Sequence, residues 1–188
     1  MKFQINKTVT FLLFLLLLQS CKPDDIYIDL SAEAKTFLQF EVGDKFKLKN
    51  HQTNEIIILT VVSKHIGHEE DNSPGLWVSF GPSGDTYIER GEYEFKDGSN
   101  CYNGNVSVEA SGNNDFELKI SLRNCVGNSN YYFEYYDDFL SNIDVLGTTY
   151  SNAYLLKYSP EILYYSKEKG ILKIVNTFNQ NIIFSIVE

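Results

Sequence analysis

The chain is short of basic residues: 16 Lys and Arg stand against 25 Asp and Glu, a formal charge of −9. A surface so acidic has no electrostatic footprint for a phosphate backbone, which excludes nucleic acid as a partner. Cysteine is scarce too, three in 188 residues, and no pair has the Cys-x-x-Cys redox spacing or belongs to a four-ligand zinc pattern. No apolar run reaches the ~20 residues that a membrane-crossing helix needs. No linker, repeat or low-complexity tract interrupts the chain. The Gly-x-Ser-x-Gly order of a nucleophile elbow is also missing; the nearest approach, "GPSGD" at 81–85, reads as a plain turn. With no catalytic signature, the chain is read as a non-enzyme that needs no cofactor.

What the chain does have begins at its amino terminus. Lys2 and Lys7 precede the apolar stretch 9–18, and Gln19 and Ser20 lead to Cys21. This is the layout of a secretory signal peptide over residues 1–20. Leu18-Gln19-Ser20-Cys21 resembles a bacterial lipobox, which implies cleavage before Cys21, a lipid on its thiol and an acylated new amino terminus. Two or more acyl chains, at ~0.8 kcal/mol per buried methylene, hold a protein firmly to its membrane. The following Lys22-Pro23-Asp24-Asp25 is similar to the tether signals of Bacteroidota lipoproteins. That likeness implies an outer-membrane lipoprotein displayed on the cell surface; attachment facing the periplasm is the alternative.

Removing residues 1–20 takes two lysines, so 14 basic and 25 acidic side chains leave a mature charge of −11. Residues 21–30 read as a tether and 31–188 as one domain, a length that buries a good core and leaves little room for a second. Of the remaining cysteines, Cys101 and Cys125 both sit among turn residues at the ends of a hairpin. In an oxidising compartment they are expected to pair.

The domain reads as all-β: a single antiparallel unit, whether sandwich, barrel or strongly curved sheet, with one short N-terminal helix. Ser31 before "AEAKTFLQF" offers an N-cap, and Ala34, Phe37 and Leu38 share the helix side that caps an open end of the β-structure. From residue 44 the period becomes two. In "FELKISLR" Phe116, Leu118, Ile120 and Leu122 alternate with polar residues, and Val106, Val108 and Ala110 do the same in "NVSVEA". "EIIILTVV" is apolar on both parities, so it is expected to be covered on both sides. Further strands are expected at 45–49, 75–80, 86–96 with a break at Gly91, 131–136, 150–157, 162–165, 171–175 and 182–187. Gly170 in "SKEKGI" suits a tight turn that needs positive φ.

"TTYSNAYLLKYSPEILYYSKEKGILKI" is similar to the C-terminal part of many Bacteroidota lipoproteins, through Tyr150, Asn152, Tyr164, Tyr165, Ser166 and Gly170. "FLQFEVGDKFKLKN" is similar to their entry segment. The resemblance implies a tethered all-β domain and brings no activity with it.

Two clusters invite a chemical reading. "KHIGHEEDNSPG" holds His65 and His68 with three acids, donors that could take zinc or calcium, but as a solvated loop it is expected to hold no metal. In "NYYFEYYDDF" Tyr132, Glu134 and Tyr136 share one strand face. Rings flanking a carboxylate could stack on sugars, although tyrosine is also an ordinary strand residue. The leading expectation is a lipid-anchored, non-catalytic extracytoplasmic protein that binds a protein, glycan or lipid partner or builds part of the envelope. A lipid carrier with an apolar concavity and a glycan-binding or glycan-active protein are the alternatives.

Overall fold

The computed structural model describes residues 24–71, 84–111, 115–125 and 129–188, without the side chains of residues 129 and 135–138. The signal segment, Cys21, the strand expected at 75–80 and residues 81–83 of "GPSGD" lie outside the described residues. Among the described residues eleven strands form one sheet. They are β1 (Ile26–Ile28), β2 (Lys45–Asn50), β3 (Glu55–Glu70), β4 (Thr86–Lys96), β5 (Tyr102–Ala110), β6 (Phe116–Asn124), β7 (Ser129–Val145), β8 (Thr148–Tyr158), β9 (Glu161–Ser166), β10 (Gly170–Asn176) and β11 (Ile182–Val187). From β2 to β11 each strand pairs antiparallel with the next, and β11 pairs back onto β2 through Phe184↔Asn50 to Val187↔Lys47. The result is a closed ten-stranded barrel. Closure satisfies the edge hydrogen bonds that an open sheet would expose.

The period-two pattern decides what faces inward. Phe46 and Leu48 of β2, Val106, Val108 and Ala110 of β5, Leu118, Ile120 and Leu122 of β6, and Leu163 and Tyr165 of β9 are all buried in one core. Their alternates Lys45, Lys47, Glu94 and Glu117 are exposed. A bilayer-embedded barrel has the reverse arrangement, apolar outside. Rings pack among the aliphatic side chains of the interior. Phe46 packs edge-on to Phe95 at 5.1 Å, and Tyr102 and Tyr131 stand edge-on to Phe184 at 6.2 and 6.1 Å.

One mouth of the barrel is plugged by the segment before β2. The Ser31 hydroxyl accepts from the Ala34 N–H at 3.1 Å and caps α1 (Ala32–Lys35), which tightens into a 3-10 turn over Thr36–Leu38. Ala34, Phe37 and Leu38 are thereby driven into the core. Phe37 meets the rings of Phe116, Tyr154 and Tyr165 at 5.3, 4.7 and 6.2 Å. Its carbonyl accepts a hydrogen bond from the buried Tyr165 hydroxyl at 3.3 Å, and that hydroxyl lies 3.0 Å from the Tyr93 hydroxyl. The break expected at Gly91 is absent: β4 runs through it. Glycine is needed there for space, since a Cβ would fall 2.0 Å from Leu38 Cδ1. Ahead of the plug, β1 lies parallel to β4, with Ile26 opposite Thr86, along the part of β4 that extends past β5.

Two further expectations need correcting. "EIIILTVV" is not covered on both sides: Ile57, Leu59 and Val61 are buried, but Ile56 and Ile58 are 56% and 51% exposed. A barrel wall has one dry face, and these outward isoleucines lie opposite Lys49 and Lys47 of β2, whose aliphatic stems can lie alongside them. Nor is "KHIGHEE" a loop. β3 continues to Glu70, paired with β4 as far as Glu70↔Tyr87.

The β7–β8 hairpin is longer than the barrel wall. Ala153 is the first β8 residue to pair with β9, so 148–152 pair with β7 alone. This free end carries Ile143, Val145 and Tyr150 onto Ala153, Leu172, Tyr164 and Ile186, making a second, smaller core. Lys173 secures it by donating to the Asp144 carbonyl at 2.9 Å while lying 4.8 Å over the Tyr164 ring.

Candidate functional site

Polar side chains converge at the plugged mouth. A β-bulge between Val61 and Ser63 reverses the facing of β3, so Lys64, Ile66 and His68 stand beside the inward residues Tyr93, Gly91 and Glu89 of β4. His68 Nε2 lies 2.8 Å from Asp29 Oδ1. Glu89, buried, accepts the Leu30 N–H at 2.8 Å and pairs with Lys35 Nζ at 2.9 Å. Donor atoms of Asp29, His68 and Glu89 all lie within 4.8 Å of one another, which is metal-ligand spacing. Both Glu89 oxygens are nevertheless engaged, one by an ammonium group that a cation would have to displace. As arranged, the group clamps the N-terminal segment onto β3 and β4. Tyr27 completes the clamp, stacked on Tyr87 at 5.1 Å and edge-on to His68 at 5.4 Å.

His65, the other histidine singled out from the sequence, is not brought to this cluster. It faces Glu92 on the outside, three strand residues from His68 and therefore on the opposite face. Asp29 and Glu89 were missed. One signal was available for Glu89: in "IERGEYEF" it shares the parity of Tyr93 and Phe95, so a carboxylate was due inside.

The second expected cluster lies on the outer wall. Tyr131 and Phe133 face the core, while Tyr132 and Glu134 face outward, as alternation requires. The Tyr136 side chain lies outside the described residues. In its place the structure supplies Tyr158, the last residue of β8, which shares the parity of buried Leu156 and reaches the cleft from the rim of the barrel beside Ser159. Tyr132, Glu134, Lys157, Tyr158 and Ser159 line a cleft of 420 Å³ between β7 and β8. Glu134 and Lys157 are cross-strand partners, and Lys119 of β6 is the next residue along the same row. Tyr132 is 42% exposed and Tyr158 47%. Burial of part of its ring raises the Tyr132 pKa; Lys119 opposes that shift and the hydrogen-bonded Glu134 adds to it. Tyr132 therefore stays a neutral phenol near pH 7.

Towards β4 the outer wall stays polar. Glu92 accepts from the Asn105 amide, and the Ser121 hydroxyl bonds Asn105, beside a cleft of 320 Å³ that includes Glu94 and Asn103. A larger cleft of 680 Å³ adjoins the β10–β11 turn, where Asn176 accepts from the Phe178 and Asn179 N–H groups and Gln180 donates to the Thr177 carbonyl. Those bonds serve the turn itself.

Cys101 and Cys125 are disulfide-bonded, with Cα atoms 5.0 Å apart, and tie the start of β5 to the end of β6. The positions that carry the lipoprotein resemblance serve folding. Tyr165 and Ser166 are buried, and Asn152 and Gly170 take φ of 56° and 77°. No protein-family model, curated protein or solved structure matches the chain.

Proposed function

We propose that the chain is a lipid-anchored, non-catalytic extracytoplasmic protein of the cell envelope, held by acylated Cys21, that meets its partner on the outer wall of the barrel. The observation that carries this reading is the packed interior. Phe37, Phe95, Phe133, Tyr165 and Phe184 are fully buried in the barrel core, in the space where a carrier would shelter an acyl chain. The outer side, by contrast, offers a cleft lined by two half-exposed tyrosine rings and hydrogen-bonding groups.

The anchor fits this geometry. Asp24 is three residues on from Cys21, a reach of ~10 Å at full extension. Asp24 and Asp25 lie against Gly84 and Asp85 at the plugged end. The plugged mouth therefore sits next to the lipid, and the turns at the other end point away from it. The disulfide suits an oxidising compartment. No helix among the described residues is long and apolar enough to cross a membrane.

Metabolic labelling with an alkyne palmitate analogue tests the anchor. The wild-type chain takes label and fractionates with membranes; Cys21→Ser takes none and is released. An unlabelled wild-type chain overturns the anchor. A hydrophobic dye that binds the purified protein and is displaced by fatty acid overturns the packed-interior argument in favour of a carrier.

A further inference from the structure

We infer that the cleft between β7 and β8 is a binding site for a neutral pyranose unit of a polysaccharide or surface glycan. The inference rests on the outer-wall reading above and names its ligand class.

Two features of the cleft match the two-sided chemistry of a sugar ring. A pyranose presents axial C–H groups on its faces and hydroxyls around its rim. Tyr132 and Tyr158 offer ring surface to the C–H groups, and their negative π-faces attract such hydrogens. Glu134 and Lys157, paired across the two strands, set an acceptor beside a donor, the arrangement that two neighbouring hydroxyls can satisfy together. Ser159 adds a hydroxyl at the rim. At 420 Å³ the cleft falls within the range of about 300–1,000 Å³ common for small-ligand sites.

The rings are held before any ligand arrives. Tyr158 is braced by buried Phe133, which meets it edge-on at 6.4 Å, and Tyr132 is tied to Glu134. A site on rigid paired strands loses little side-chain freedom when it is filled. Charge selects the ligand type: Glu117 and Lys119, an ion pair at 2.7 Å, together with Glu134 and Lys157 sum to zero. The rest of the protein is strongly acidic, which disfavours uronates and sulfated sugars. Position agrees as well. Ser159 begins the β8–β9 turn, at the end of the barrel remote from Asp24 and the lipid, where a large glycan has free approach.

Native affinity electrophoresis of the full-length protein in detergent tests the inference, with soluble starch, mixed-linkage β-glucan, xylan and galactomannan as gel-borne probes. At least one polysaccharide retards the wild-type protein. Tyr132→Ala and Tyr158→Ala each raise the dissociation constant tenfold or more, and Lys157→Met, which leaves both rings in place, raises it several-fold. Tyr158→Phe, which keeps the ring, binds as wild type. Phe178→Ala removes an 84% exposed ring outside the cleft and also binds as wild type. Unchanged mobility of the wild type in every gel overturns the inference, as does equal retardation of the wild type and both alanine variants. Cys21→Ser separates this result from the anchor: it loses acylation yet keeps polysaccharide binding.

Discussion

Replacing Tyr165 by Phe removes one oxygen atom from the barrel interior and keeps the ring that packs on Phe37 at 6.2 Å. That oxygen makes two buried hydrogen bonds, one with the Tyr93 hydroxyl at 3.0 Å and one to the Phe37 carbonyl at 3.3 Å. Each is worth ~1 kcal/mol net, and the groups they leave behind, a buried hydroxyl and a buried carbonyl, carry a desolvation cost of ~1–3 kcal/mol when unpaired. The 3.3 Å bond is the weaker, so we expect Tyr165→Phe to lower stability by ~2–3 kcal/mol. In urea, with a slope of ~1–3 kcal/mol per molar, the midpoint falls by ~1 M while the slope stays unchanged. Tyr164→Phe is the control one residue away, on the face of β9 turned from the main core; it is expected to change stability by less than ~0.5 kcal/mol. Hydrogen exchange adds a local readout: the amides of residues 30–39 should exchange faster in Tyr165→Phe than in Tyr164→Phe, because the lost bond is the one holding the plug. Equal midpoints for the two variants, or unchanged plug exchange, refute the argument that this hydroxyl relay fastens the plug.

Three other outcomes follow from the same structure. Gly91→Ala, whose new Cβ would lie 2.0 Å from Leu38 Cδ1, should cost ~1–3 kcal/mol by overpacking, and combining it with Leu38→Ala in a double-mutant cycle should recover part of that loss. Opening the Cys101–Cys125 bridge, which spans 24 residues, with Cys101→Ser/Cys125→Ser should cost ~3 kcal/mol and make the thermal midpoint insensitive to reductant. Burial, with the neighbouring Tyr165, holds the Tyr93 pKa well above 10, and burial raises that of Tyr165. Because the folded values exceed the unfolded value of ~10, their neutral forms contribute fully below pH ~10, and that contribution is lost as pH rises towards the folded values. Far-UV dichroism and the tyrosinate absorbance of the last two phenols should therefore change together in one alkaline transition; titration of all 13 tyrosines without unfolding contradicts it.

Much of the barrel was legible because alternation is local. The parity of "NVSVEA" and "FELKISLR" needs no knowledge of the partner strand, and neither does Ser31 as a cap. Closure was not legible. The β11–β2 pairing joins chain ends more than 130 residues apart, and nothing in either segment distinguishes a barrel from a sandwich. The site was harder still, for a definite reason. The bulge at Val61–Ser63 shifts every later β3 residue to the opposite face, which is why His68 and not His65 meets Glu89. A bulge needs no special residue there, so "VVSKHIGH" carries no mark of it. Tyr158 escaped notice because its place beside Tyr132 depends on the β7–β8 register, itself offset by an irregularity between Tyr135 and Asp138.

The parallel setting of β1 against β4 has a mechanical consequence. Any tug applied through the segment ahead of β1, where the lipid is proposed to sit, runs along the axis of that strand, so its backbone bonds to β4 are strained together in shear and cannot be opened singly from one end. Such a force is met by the plug and the short strand acting as a single latch, and the closed wall behind them is spared.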